Sequence, residues 1–183
     1  MKLLMQGHCV FVHCTDGWDR TAQLASLARI LIEKRFRTID GFIELMQREW
    51  VSFGFQFGLR LGQHANSKHL PSDRSPVFTQ FIDCVWQIMS QYPDEFEFNG
   101  SFLIELLDKV HSGLYLETRA NSELERHQLR NFFEHRFPNM VPRSLWRDLK
   151  KNAQSTSQSL LNKSFDACRG TDVLDVKVFR LRL

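Results

Sequence analysis

An α/β fold dominated by helix is predicted by three observations. The run Cys9-Val10-Phe11-Val12 is apolar and β-prone with no helical period, so it reads as a buried strand. A glycine-containing loop, Cys14 to Arg20, follows it directly. Beyond the loop, the apolar residues recur at the spacing of amphipathic helices.

The first helix is expected over Thr21 to Lys34, with Leu24, Leu27, Ile30 and Leu31 on one face. Asp40 is placed to cap a helix reaching Trp50, with Phe42, Leu45, Met46 and Glu49 marking its faces. Ser75 at the N-cap and Pro76 at the first helical position open a third helix. Its wide stripe of Phe78, Phe81, Ile82, Val85, Trp86 and Met89 reads as core. Asn99 or Ser101 caps a fourth, with Leu103, Leu106, Leu107 and Val110 inward, and Glu123 to Phe137 forms a charged helix that Pro138 ends. Lys150 to Lys163 is polar and reads as a linker, and Val173 to Leu183 as a strand or a tail. Residues 1–150 are therefore expected to form part of one domain and 151–183 a polar linker and divergent tail. A strand that delivers a loop belongs in a sheet, and only one clear strand is legible. The chain reads as the second half of a larger domain.

Composition narrows the function classes. The formal charge of the 183 residues is +3, without a Lys/Arg run, so no nucleic-acid arm is expected. The four cysteines, Cys9, Cys14, Cys84 and Cys168, are scattered and form no C-x-x-C pair, which argues against a disulfide framework or a structural zinc site. They fit a reducing, cytosolic compartment. No apolar run approaches the roughly 18 residues that span a bilayer. Gln6, Gly7 and His8 interrupt the opening segment before it reaches the length of a signal peptide. Membrane contact is therefore expected to be peripheral.

The segment His13-Cys14-Thr15-Asp16-Gly17-Trp18-Asp19-Arg20-Thr21 carries the chemistry. Backbone N–H groups of a curled loop at a helix N-terminus cradle a phosphate dianion, so Thr15, Asp16, Gly17 and Trp18 are candidate substrate-binding residues. The same field favours a thiolate at Cys14, able to attack phosphorus. Arg20 offers a planar fork to two phosphate oxygens. Thr21 has a hydroxyl for the sulfur or for the helix end. Two acids in a loop that attracts an anion imply a task. Asp19 is the candidate general acid for the leaving alkoxide and then the base for water. Asp16 is a candidate for orienting that water or bonding a ring hydroxyl, and Trp18 for packing against the substrate ring or wedging the loop open. His13 is expected to fix loop geometry. Cys9, Cys84, Trp50, Trp86 and Trp146 are expected in the core, and His8, His64 and His69 are not expected to be ligands.

This stretch resembles the active-site sequence of the myotubularin family of phosphoinositide 3-phosphatases. The resemblance continues through Arg37 to Phe42, Glu49 to Gly54, Ser75 to Phe78, Phe81 to Gln87, Phe96 to Asn99 and Phe102-Leu103, with a faint echo at Ser144-Leu145-Trp146. It covers about residues 1 to 115. It implies a cysteine-dependent, protein-tyrosine-phosphatase-like fold, of which this chain holds the mainly helical C-terminal portion. It implies removal of the D3 phosphate from phosphatidylinositol 3-phosphate, and in many members from the 3,5-bisphosphate. No metal or cofactor is expected. Cys14 is then the nucleophile, Asp19 the acid, Arg20 the phosphate binder and Arg60 a further substrate-binding residue. Peripheral residence on endosomal membranes and pairing with myotubularin-like proteins are also implied. Two departures stand out. Thr15 replaces the usual serine, and Phe55-Gln56-Phe57 replaces a His-Lys/Arg-Phe segment. Gln56 removes a positive charge near the expected second phosphate, which predicts weaker turnover of the bisphosphate. The alternative is a non-catalytic product that binds lipid head groups or a full-length relative and regulates it. A protein-tyrosine phosphatase is disfavoured by the acidic loop.

Overall fold

The computed structural model describes residues 2–63, 73–140, 142–155, 161, 162, 165, 173 and 174. Cys168, His64, His69 and most of the Val173 to Leu183 segment lie outside them. The described part is helical. A single turn, α1 (Lys2–Met5), precedes α2 (Arg20–Ile32), α3 (Ile39–Met46), the one-turn α4 (Phe57–Arg60), α5 (Val77–Gln91), α6 (Gly100–His111), the one-turn α7 (Leu116–Arg119), α8 (Glu123–Arg136) and α9 (Leu145–Ser155).

The strand expectation is overturned. Among the described residues no strand forms, and the only β-type pairing is an antiparallel bridge between Phe98 and Leu161. Cys9 is exposed rather than buried, and Phe11 is 86% exposed. A strand exists only where a neighbour completes its hydrogen-bond ladder. Apolar character alone did not supply that neighbour, so the α/β class is met here only in its helical part.

The core is aromatic. Trp50, fully buried, meets Phe55 and Phe78 edge-on at 4.8 and 4.9 Å between ring centroids and Phe81 at 4.8 Å. Phe42, Phe98 and Phe102 continue the cluster. Such edge-to-face pairs place the positive rim of one ring on the negative face of the next. Trp50 sits in a π-helical turn, Gln47–Ser52, that prolongs α3. A π turn leaves carbonyls without their usual partners. The buried guanidinium of Arg126, held by Glu123 at 2.7 Å, donates to the Val51 carbonyl there.

Hydrogen bonds fasten α2 to this core. The Trp50 indole N–H donates to Ser26 Oγ at 3.0 Å, and Gln23 Nε2 donates to the Val77 carbonyl at 2.7 Å. With Ser26 turned inward, the buried face of α2 is Ala22, Ser26, Ile30 and Leu31. Leu24 is accordingly exposed, against expectation. Trp86, expected in the core, is 47% exposed, because Phe78, Phe81, Ile82, Val85, Ile88 and Met89 supply the inward face of α5. Trp50, Trp146 and Cys84 are buried as expected.

Helix starts differ in detail. Thr38, not Asp40, caps α3, its hydroxyl accepting from the Gly41 N–H at 3.1 Å. Asp40 pairs instead with Lys150 at 2.7 Å. Pro76 itself is the N-cap of α5. Asn99 caps α6, accepting from the Ser101 N–H at 2.9 Å. The polar stretch begins as helix rather than linker: α9 runs to Ser155, with Leu145, Leu149 and Ala153 buried at four-residue spacing. Beyond it, the Leu174 N–H donates to the Leu31 carbonyl at 2.8 Å, and its side chain is buried.

Candidate active site

The loop enters α2 through Asp19, the N-cap residue. Gly17 has φ +84°, a conformation that costs a residue with a Cβ, which explains glycine at this point of the curl. The curl brings two donors onto the half-buried Cys14 sulfur. Thr21 Oγ1 donates at 3.2 Å and the Gly17 N–H at 3.2 Å. The Thr21 hydroxyl is the main cause that lowers the Cys14 pKa to about 6; slight burial opposes it, and the N–H groups of Gly17, Thr21 and Asp16 add to the lowering. The N-terminus of α2 points its partial positive charge the same way. Cys14 is therefore mostly thiolate at neutral pH. Of the two roles open to Thr21, the structure shows the bond to sulfur.

Arg20 lies at the mouth, exposed, with Nη2 donating to Thr15 Oγ1 at 3.4 Å. Its fork thus lies back over the loop that bears the nucleophile. Asp16 and Thr15 are exposed. His13 stacks on Phe11 at 5.5 Å.

Arg60, forty-one residues from Asp19, closes the other side. Its Nη2 donates to Asp19 Oδ2 at 2.6 Å and its Nε to Asp19 Oδ1 at 3.2 Å, a two-pronged pair with both side chains mostly shielded from water. Nη1 donates to the Asp73 carbonyl at 2.7 Å, and the guanidinium lies over the Trp18 ring at 4.7 Å. Planar stacking and a bidentate fork are what arginine offers over lysine. Asp19 makes no cap bond with its side chain; both its oxygens face Arg60. The Asp19–Arg60 pairing was not legible in the sequence, where Arg60 has only the spacing of an ordinary helix residue. Gln56 is the N-cap of α4, half-buried, four residues before Arg60. Among the described residues no group of three or more His, Cys, Asp or Glu side chains is arranged to hold a metal ion.

The profile of the myotubularin-like phosphatase domain matches residues 1–127. The chain belongs to this family. Among myotubularin-like relatives, the phosphatidylinositol-3,5-bisphosphate 3-phosphatase MTMR2 of Bos taurus is 55% identical over 117 residues, 64% of this chain and 18% of the relative. The Mus musculus protein of the same name gives the same values. Myotubularin of Xenopus laevis is 56% identical over 103 residues, 56% of this chain and 17% of that protein. The chain thus spans less than a fifth of the length of these relatives. The myotubularin-like match takes in the whole loop, α4 and Arg60, and it stops inside α8.

Proposed function

We propose that the chain carries the catalytic loop of a phosphoinositide 3-phosphatase acting on phosphatidylinositol 3-phosphate. The observation that carries this reading is the Cys14 sulfur with two donors on it at the N-terminus of α2, next to Asp19 and Arg20. In the first step the Cys14 thiolate attacks phosphorus, forming the S–P bond while the P–O bond to the inositol breaks. Arg20 binds two of the phosphoryl oxygens. Asp19, in its protonated form, gives its proton to the departing oxygen, and in the second step takes one from the water that cleaves the S–P bond, restoring the thiolate.

The geometry adds a condition. In the structure Asp19 is an acceptor on both oxygens. Proton delivery requires Arg60 to loosen its hold, and a substrate phosphate competing for the guanidinium supplies the reason to do so. Arg60 then serves substrate and acid in turn. Gln56, near Arg60, offers no charge to a second phosphate, so the monophosphate is the preferred substrate.

The test is phosphate release from phosphatidylinositol 3-phosphate by the chain and by Cys14→Ser. Release by the first and none by the second is expected; equal release by both refutes the reading. Gln56→Lys should raise the rate on the 3,5-bisphosphate relative to the monophosphate, and an unchanged ratio removes Gln56 from the account. Peripheral residence on endosomal membranes in the cytoplasm and association with a like or related chain complete the proposal.

The exposed Cys9–Phe11 segment favours a second reading, a non-catalytic protein that binds head groups or a longer relative. Sedimentation of the purified chain separates the two. A folded monomer that turns over lipid supports the enzyme, and a chain soluble only with a partner supports the regulator.

A further inference from the structure

The surface formed by the end of α8 and the turn after it has no role in the chemistry above, and these two segments lie beyond residue 127, where the family match ends. Phe132 is 60% exposed, Phe137 40%, Met140 65% and Leu114, across from them, 63%. They are contiguous. Phe133 meets Phe132 at 6.0 Å and Phe137 at 5.9 Å, and a hollow of about 280 Å³ runs between Phe133 and Met140 on one side and Leu114 and Leu116 on the other. Exposed aromatic and methionine side chains in one patch mark an interaction surface.

The charges around the patch say what it meets. Arg119 and Arg143 line the hollow, both exposed, and the Arg136 guanidinium lies over the Phe137 ring at 5.7 Å. These three arginines are exposed, and Glu134 is the one acid between residues 127 and 147. Apolar side chains with a guanidinium rim suit an interface between acyl chains and anionic head groups. The patch is also fastened to the site. α7 packs on α4, with the Leu59 N–H donating to Asn121 Oδ1 at 2.8 Å, one residue before Arg60.

We propose that Phe132, Phe137 and Met140, with Arg119, Arg136 and Arg143 around them, dock the chain onto an anionic lipid surface. The choice of a membrane as occupant rests on the reading of the loop as a lipid phosphatase; the aromatic and basic patch does not.

The experiment is co-sedimentation of the full chain with phosphatidylcholine vesicles, with and without phosphatidylserine and free of phosphoinositide. The wild type and Cys14→Ser should both bind the phosphatidylserine vesicles. The triple variant Phe132→Ser/Phe137→Ser/Met140→Ser, which changes only exposed side chains, should lose about tenfold or more in binding. The pair Arg136→Gln/Arg143→Gln should lose about tenfold or more and respond less to salt. No preference for anionic vesicles, or equal binding by the triple variant, overturns the proposal. So does a triple variant that alters only self-association in the ultracentrifuge, since the occupant is then a second copy. Vesicle binding without phosphate release from any phosphoinositide sinks the catalytic reading and leaves the docking surface standing.

Discussion

The Cys14–Thr21 loop, at the N-terminus of α2, and the aromatic core around Trp50, on the buried face of α2, are held by different forces. The loop is partly open to solvent and kept in shape by directed polar contacts: two donors on one sulfur and a forked pair between Asp19 and Arg60. The core excludes water, and its rings lock one another through shape. The difference teaches where each can be damaged. A change in the loop removes a reactive atom or a charge and leaves the fold; a change in the core removes the platform and takes the loop with it.

The largest effect is expected from Cys14→Ser. Hydrolysis should fall by about four orders of magnitude or more, as for removal of a nucleophile, while the urea midpoint stays put. A matching loss of stability would dissolve the contrast between the two regions. Next comes Trp50→Ala, which should cost about 3–5 kcal/mol in urea unfolding; a loss under about 1 kcal/mol, the scale of surface changes, would show that the rings do not act as one core. Third is the chemistry of the sulfur. Alkylation of Cys14 by iodoacetamide should rise with pH through a midpoint at about 6, because only the thiolate reacts. Thr21→Val removes the main cause of that lowering, so the midpoint should move up toward 9.0, and the acid limb of hydrolysis with it. A midpoint that stays near 6 would shift the credit to the backbone and the helix end. The smallest effect is that of Gly17→Ala, whose φ of +84° becomes strained by about 1–2 kcal/mol. A gain in stability there would mean that the curl relaxes without harm.

Much of the site was legible because its parts are local. Cys14, Gly17, Asp19, Arg20 and Thr21 fall within eight residues, and a loop ahead of an amphipathic helix brings them together whatever lies around it. Arg60 was reached only through the family resemblance, and its pairing with Asp19 depends on α4 crossing back to the loop, which no periodicity encodes. The helices were legible from their stripes, but their rotation was not. Ser26 faces inward for the sake of one indole, and that turns Leu24 out. Cys9 to Val12 shows the opposite limit: a strand-like run tells what a segment suits and not whether a neighbour is there to pair with it. The helical start of the polar stretch was visible in Leu145, Leu149 and Ala153, a four-residue spacing outweighed by Arg147, Asp148, Lys150, Lys151 and Asn152 between them.

Gly58 has no polar side chain, yet it sets the position of one. A Cβ there would lie 2.5 Å from the Arg119 carbonyl oxygen, so α4 approaches α7 as closely as it does only because that atom is missing. Arg60 rides on the same single turn, two residues on. The spacing of two backbones is thereby converted into the reach of a guanidinium, and variation at position 58 should surface as a loss of the proposed activity with no altered functional group to explain it.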